Sequence, residues 1–184
     1  MKRLLLPVGV LVLVGYFAFA EGAPKPGEFG IQGGVVFTSL LAAGGTSPNG
    51  SLGAKYFVND NVALRAGFGV VNVAAGGAST TAYSFGAGFE YHLAGKGGVS
   101  PYVGAAVSYS GESLSGGGST PSDFGIKAIF GGEYFFSNNF SWAGELGLGY
   151  DSLYNPGTPP LIPATTTSSI GTIGFGTFLT YYIY

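Results

Sequence analysis

Gly131–Tyr150 reads GGEYFFSNNFSWAGELGLGY. Side chains along a β-strand point alternately to its two faces, and this stretch alternates on both sides of Ser137-Asn138-Asn139. Upstream, Ile126, Ala128, Phe130, Tyr134 and Phe136 share one face, and Lys127, Gly131 and Glu133 share the other. Downstream, Phe140, Trp142, Leu146, Leu148 and Tyr150 oppose Ser141, Ala143, Glu145, Gly147 and Gly149. The reading is two antiparallel strands joined by an Asn-rich turn. One face is bulky and apolar; the other is small and carries every charge.

The same pattern recurs along the chain. Val62, Leu64, Ala66, Phe68 and Val70 oppose Ala63, Arg65, Gly67 and Gly69, and Tyr83, Phe85, Ala87, Phe89, Tyr91 and Leu93 oppose Ser84, Gly86, Gly88, Glu90 and His92. Eight strands are expected, at about 28–40, 50–58, 61–73, 81–93, 99–110, 123–136, 139–153 and 169–184. Tight connections at 59–61, 94–98 and 137–139 alternate with longer ones at 41–49, 74–80, 111–122 and 154–168, rich in Gly, Ser, Thr and Pro.

Composition decides which face is outside. Only 9% of residues are charged, where soluble domains carry roughly 25%. Mean hydropathy is +0.38 and glycine supplies 35 of 184 residues. A soluble barrel would turn its charges outward, and here almost none remain to solvate an exterior. Membranes admit only helices and closed barrels, because every backbone polar group must be paired internally. The expectation is therefore an all-β, eight-stranded antiparallel up-and-down transmembrane barrel over residues 28–184. Its aromatic face meets lipid and its glycine-rich face fills the lumen. Short turns on the periplasmic side and longer loops outside suit that arrangement. Aromatics near the strand ends form two interfacial girdles. Tyr56, Tyr91, Tyr134, Phe136, Phe140 and Trp142 lie beside the tight turns; Phe37, Tyr83, Tyr109, Phe124 and Tyr150 lie beside the long loops.

At the start of the chain, Lys2-Arg3 precede an apolar run and then Ala18-Phe19-Ala20. This is the pattern of a secretory signal peptide over residues 1–20, cleaved after Ala20. Residues 21–27 then form a short periplasmic segment. The absence of cysteine removes disulfide staples. Nine acidic against seven basic residues give no reason to expect nucleic acid as a partner.

Three segments carry a resemblance: KYFVNDNVALRAGFGV at Lys55–Val70, PYVGAAVSY at Pro101–Tyr109, and the stretch quoted first. With them the chain resembles the small outer-membrane β-barrel superfamily of the OmpA, OmpX and OmpW kind. The resemblance implies a bacterial outer-membrane location, lipid contacts and assembly by the outer-membrane barrel machinery. The last residues fit that machinery's C-terminal signal through Phe178, Tyr182 and Tyr184, with Thr180 interrupting. The opposite parity (Phe175, Leu179, Tyr181, Ile183) is equally apolar, so parity leaves open which set meets lipid. No peptidoglycan-binding segment follows the strands in this sequence, so a wall-anchoring role is not implied.

Chemistry-bearing residues are few. His92 is the sole histidine, with Glu90 two residues before it on the same face. Ser84 shares that face, but eight residues at about 3.3 Å each place it roughly 26 Å away, beyond the reach a nucleophile and base require. No catalytic residue, cofactor or metal site is expected. The inward charges Lys55, Arg65, Glu90, Lys127, Glu133 and Glu145 are expected to pair within the lumen. Lys55 and Arg65 should face each other across a hairpin, neutralised by Glu90 and Glu133. Glu145 and Lys127 should lie further toward the outside. One reading is a plug of ion pairs, since eight strands leave room only for side chains; the other is a gate or narrow ion path. The functional expectation is a structural or surface-interacting barrel whose long loops contact sugar or protein. A narrow channel or carrier for small apolar or uncharged solutes is the alternative, and a lipid-modifying enzyme comes third.

Overall fold

The computed structural model describes residues 26–37, 48–75, 78–94, 98–115, 120–157 and 163–183. The expected signal peptide falls outside them, as does most of the 21–27 segment. Eight strands, β1 (Phe29–Phe37), β2 (Pro48–Phe57), β3 (Val62–Ala75), β4 (Ala78–His92), β5 (Val99–Leu114), β6 (Ser122–Ser137), β7 (Phe140–Asn155) and β8 (Thr165–Ile183), form a closed barrel in chain order. Every neighbouring pair is antiparallel, and β1 closes the circle against β8 from Phe29↔Ile183 to Phe37↔Phe175.

The turns explain themselves chemically. Asn59 Oδ1 accepts hydrogen bonds from the backbone N–H groups of Asn61 and Val62, both at 2.9 Å, an Asx turn that reverses the chain between β2 and β3. Asn61 then donates from Nδ2 to the carbonyl of His92. Asn139 does the same for β8, donating to the carbonyl of Tyr182 at 3.0 Å. These asparagines lace the turn end of the barrel together. At the other end the strands run further than expected. The connection expected at 74–80 shrinks, because β3 continues to Ala75 and β4 resumes at Ala78 in register with it. β8 begins at Thr165, and the registers shift at Gly149/Tyr150 opposite Gly171, whose φ is +87°. That bulge needs a backbone that glycine adopts without strain.

The outward face is apolar throughout: Leu52, Leu64, Phe68, Phe85, Phe89, Phe130, Leu146 and Leu179 are each about half exposed. Such a belt has no place in water and is the lipid-facing surface of a membrane barrel. Aromatics gather at its two edges. At the turn end Tyr134 and Phe136 meet edge to face at 5.0 Å, and Phe136, Phe140 and Tyr181 continue the row. Trp142 donates there to Thr177 Oγ1. At the loop end Tyr83 contacts Tyr109, and the Tyr150 hydroxyl donates to Ser168. Tyr56, Tyr91 and Phe124 are exposed in the same rows, and the Phe37 side chain lies outside the described residues.

The last strand settles its open parity. Phe175, Leu179, Tyr181 and Ile183 face outward, whereas Phe178 and Tyr182 are buried in the lumen. Phe178 and Tyr182, which fit the C-terminal assembly signal in sequence, thus belong to the lumenal set; Tyr184 lies outside the described residues. The reason lies in β1: Tyr182 is opposite Gly30 and Phe178 opposite Gly34, and both rings occupy space a Cβ would take.

Candidate functional site: the ion-paired lumen

Glycine also makes room for the lumenal charges. Across the strands Lys55 faces Gly30, Arg65 faces Gly88, Glu90 faces Gly104, and Glu145 lies between Gly131 and Gly176. A long side chain next to a missing one can cross the lumen. Lys55 and Arg65 are direct cross-strand neighbours, a repulsive arrangement unless acids intervene. Lys55 Nζ lies 2.5 Å from Glu90 Oε2 and 2.6 Å from Glu133 Oε2. Arg65 binds Glu145 through two nitrogens at 2.6 and 2.9 Å, and reaches Glu90 Oε1 at 3.1 Å. Glu145 thus joins the network through Arg65 rather than standing apart toward the outside. Lys127 does stand apart, 3.6 Å from Asp151.

Uncharged donors complete the carboxylates. Glu133 Oε1 accepts from the hydroxyls of Ser141 at 2.5 Å and Tyr182 at 2.7 Å. Tyr102 donates to Glu145 Oε2 at 3.2 Å. His92 Nε2 lies 3.0 Å from Glu90 Oε2, and its Nδ1 lies 2.9 Å from Ser100 Oγ. Aromatic rings wall the charges in. Lys55 Nζ lies 5.4 Å from both the Phe57 and the Tyr102 ring centroid, and Arg65 sits over Phe178 at the same distance. These are attractive cation–π distances. Phe57, Phe135 and Tyr182 close the turn end beneath them.

Sequence parity does not single out Tyr102, Phe57, Phe135 or Ile129 as lumenal, because it places bulky and aromatic residues toward lipid. Their positions carried the signal: Tyr102 shares its face with Ser100, Gly104 and Ser108. Two further findings add to the sequence reading. The serine beside His92 is Ser100, from the neighbouring strand, in place of the distant Ser84. Ser100, His92 and Glu90 have the connectivity of an acyl-transfer triad. Here, however, Glu90 is tied to Lys55 and Arg65, and the imidazole is packed between Phe57 and Tyr102 at 5.0 and 5.2 Å. Glu90, His92 and Glu133 also bring ligand atoms within 4.8 Å of one another, where no metal-ligand cluster was expected. The Lys55 ammonium stands between the two carboxylates, so a metal ion there must displace a cation the fold already supplies.

Above Arg65 and Glu145 the lumen changes character. It opens toward the loop end as a cavity of about 450 Å³, lined by glycine, alanine and serine with Ile129 and Phe178 near its floor.

No protein-family model and no curated protein matches the chain. Solved structures do. The outer membrane protein OprG from Pseudomonas aeruginosa superposes with a TM-score of 0.55 at 16% identity, over 90% of this chain and 99% of that one. The N-terminal β-barrel domain of Pseudomonas aeruginosa OprF gives 0.48 at 18% identity, over 86% and 98%. Neisserial surface protein A gives 0.46 at 24%, over 83% and 97%. The fold is that of a small outer-membrane β-barrel.

Proposed function

We propose that this chain is a non-conducting, non-enzymatic barrel of the bacterial outer membrane, with a structural or surface-contact role carried by its loop end. The observation that supports this reading is the closure of the turn-end half of the lumen. Lys55, Arg65, Glu90, Glu133 and Glu145 cross it as one connected lattice, with all six carboxylate oxygens partnered. A permeating ion would have to break contacts that are buried and mutually satisfied, and removing one partner of such a pair is costly. The same lattice argues for a structural Ser100–His92–Glu90 chain. Glu90 is committed to cations, and the ring it orients is held by aromatic packing.

The test is planar-bilayer conductance of the refolded protein, followed by treatment with a fluorophosphonate. Wild-type protein should show no steady single-channel steps, and Ser100 should remain unlabelled. Steady steps in the wild type would turn the reading to the narrow channel, and covalent labelling at Ser100 to the enzyme.

A further inference from the structure

The loop-end cavity holds polar groups that the fold does not use. In register, Ser110 faces Asp123, while Gly125 lies between Ser108 and Asp151. Lys127 follows two residues along β6. Ser108 Oγ and Asp151 Oδ1 both lean into the space that a Cβ on Gly125 would take. One wall of the cavity, from β5 to β7, therefore concentrates hydroxyls, two carboxylates and an ammonium. They are not satisfied by one another. Lys127 Nζ and Asp151 Oδ1 are 3.6 Å apart, longer than a hydrogen bond. Asp123 Oδ1 is shielded from solvent and has no hydrogen-bond partner. The rest of the lining mixes glycine and alanine with serine, threonine and apolar side chains, over Ile129, Phe178 and the paired Arg65 and Glu145. Its volume of about 450 Å³ lies within the range of small-molecule sites, roughly 300–1,000 Å³.

We propose that this cup binds a small uncharged polyhydroxylated solute of the sugar or polyol class. The charge pattern selects against the other classes. An anion meets three carboxylates for two cations, of which Arg65 is already bound by Glu145. An organic cation meets Lys127 in the middle of the polar wall. An apolar molecule leaves Asp123 Oδ1 desolvated and without a hydrogen bond, which is costly. A hydroxyl group both donates to Asp123 and Asp151 and accepts from Lys127 and the serines through one atom, so several on one small ring match the whole wall. The carbon–hydrogen face of a sugar ring meets the apolar floor at Ile129 and Phe178. The inference rests on the closed floor proposed above, which makes the space a cup rather than a passage.

The experiment uses the full refolded chain in detergent and saturation-transfer NMR with sucrose and sorbitol, with choline and citrate as charged counter-probes. Saturable binding of sucrose or sorbitol is expected, with neither charged probe competing. Gly86→Leu should abolish it. Gly86 lines the cavity, and a Cβ there meets nothing nearer than the Val107 carbonyl oxygen at 3.6 Å. Asp123→Ala should weaken it about tenfold, the loss of one charged hydrogen bond. Retained heat-modifiable migration on gels shows that each variant is folded. Failure of both neutral probes to bind, preferential binding of choline or citrate, or unchanged affinity in folded Gly86→Leu would overturn the proposal. Conductance of the wild type would sink the closed floor while leaving the binding result to stand alone.

Discussion

The two halves of one lumen are built from the same alternation and differ in what glycine does. In the turn-end half, glycines stand beside long side chains: Gly30 beside Tyr182, Gly131 beside Tyr102, Gly176 beside Phe178 and Glu145. The missing Cβ atoms are occupied, and the carboxylates of Glu90, Glu133 and Glu145 are fully partnered. In the loop-end half, Gly86 and Gly147 meet only ordinary contacts. At those two positions the missing Cβ leaves room, although Gly125 beside them is filled by Ser108 and Asp151. The same residue type thus serves close packing in one region and empty volume in the other. The difference comes from whether a neighbouring strand supplies a side chain long enough to fill the gap.

The sharpest way to break this contrast is Glu133→Gln. It leaves Lys55 with Glu90 alone and weakens the acceptor for Ser141 and Tyr182. Uncoupling a buried pair from one side typically costs about 3–5 kcal/mol, an upper figure where lumenal water reaches the site. Urea unfolding in lipid vesicles should show a loss larger than that for Ser108→Ala in the cup. Adding Lys55→Met should recover part of it, giving a non-additive cycle. Additive effects would mean that the lattice is a set of independent contacts.

A second comparison tests the glycines directly. Gly131→Ala drives a methyl group into the Tyr102 ring, whereas Gly86→Ala adds one at ordinary contact distance, 3.6 Å, from the Val107 carbonyl oxygen. Overpacking of this kind costs roughly 1–3 kcal/mol, while the Gly86 change should stay within about 0.5 kcal/mol. Equal losses would show that both halves are packed alike.

The smallest effect belongs to Lys127→Met. Its partner Asp151 is 3.6 Å away, and both side chains keep some exposure, at 17% and 15%. Partly exposed pairs contribute about 0–1 kcal/mol, so the unfolding midpoint should barely move. A loss matching that of Glu133→Gln would extend the lattice through the whole lumen.

By itself the sequence determined the barrel. Alternation of bulky and small residues over eight segments, with too few charges to solvate an exterior, leaves one closed architecture that pairs every backbone group in lipid. It also determined the Lys55–Arg65 juxtaposition, because a tight turn at Asn59 fixes the register of one hairpin. What only the tertiary structure decided is what meets across the lumen. Parity assigns a face, but it does not say that Arg65 on β3 reaches Glu145 on β7, or that Lys55 on β2 reaches Glu133 on β6. Those meetings depend on the stagger of eight strands around the circle, a property of closure rather than of any one strand. The last strand shows the same division. Its two apolar faces were indistinguishable in sequence, and Tyr182 turned inward because β1 presents Gly30 opposite it and Glu133 offers its hydroxyl an acceptor.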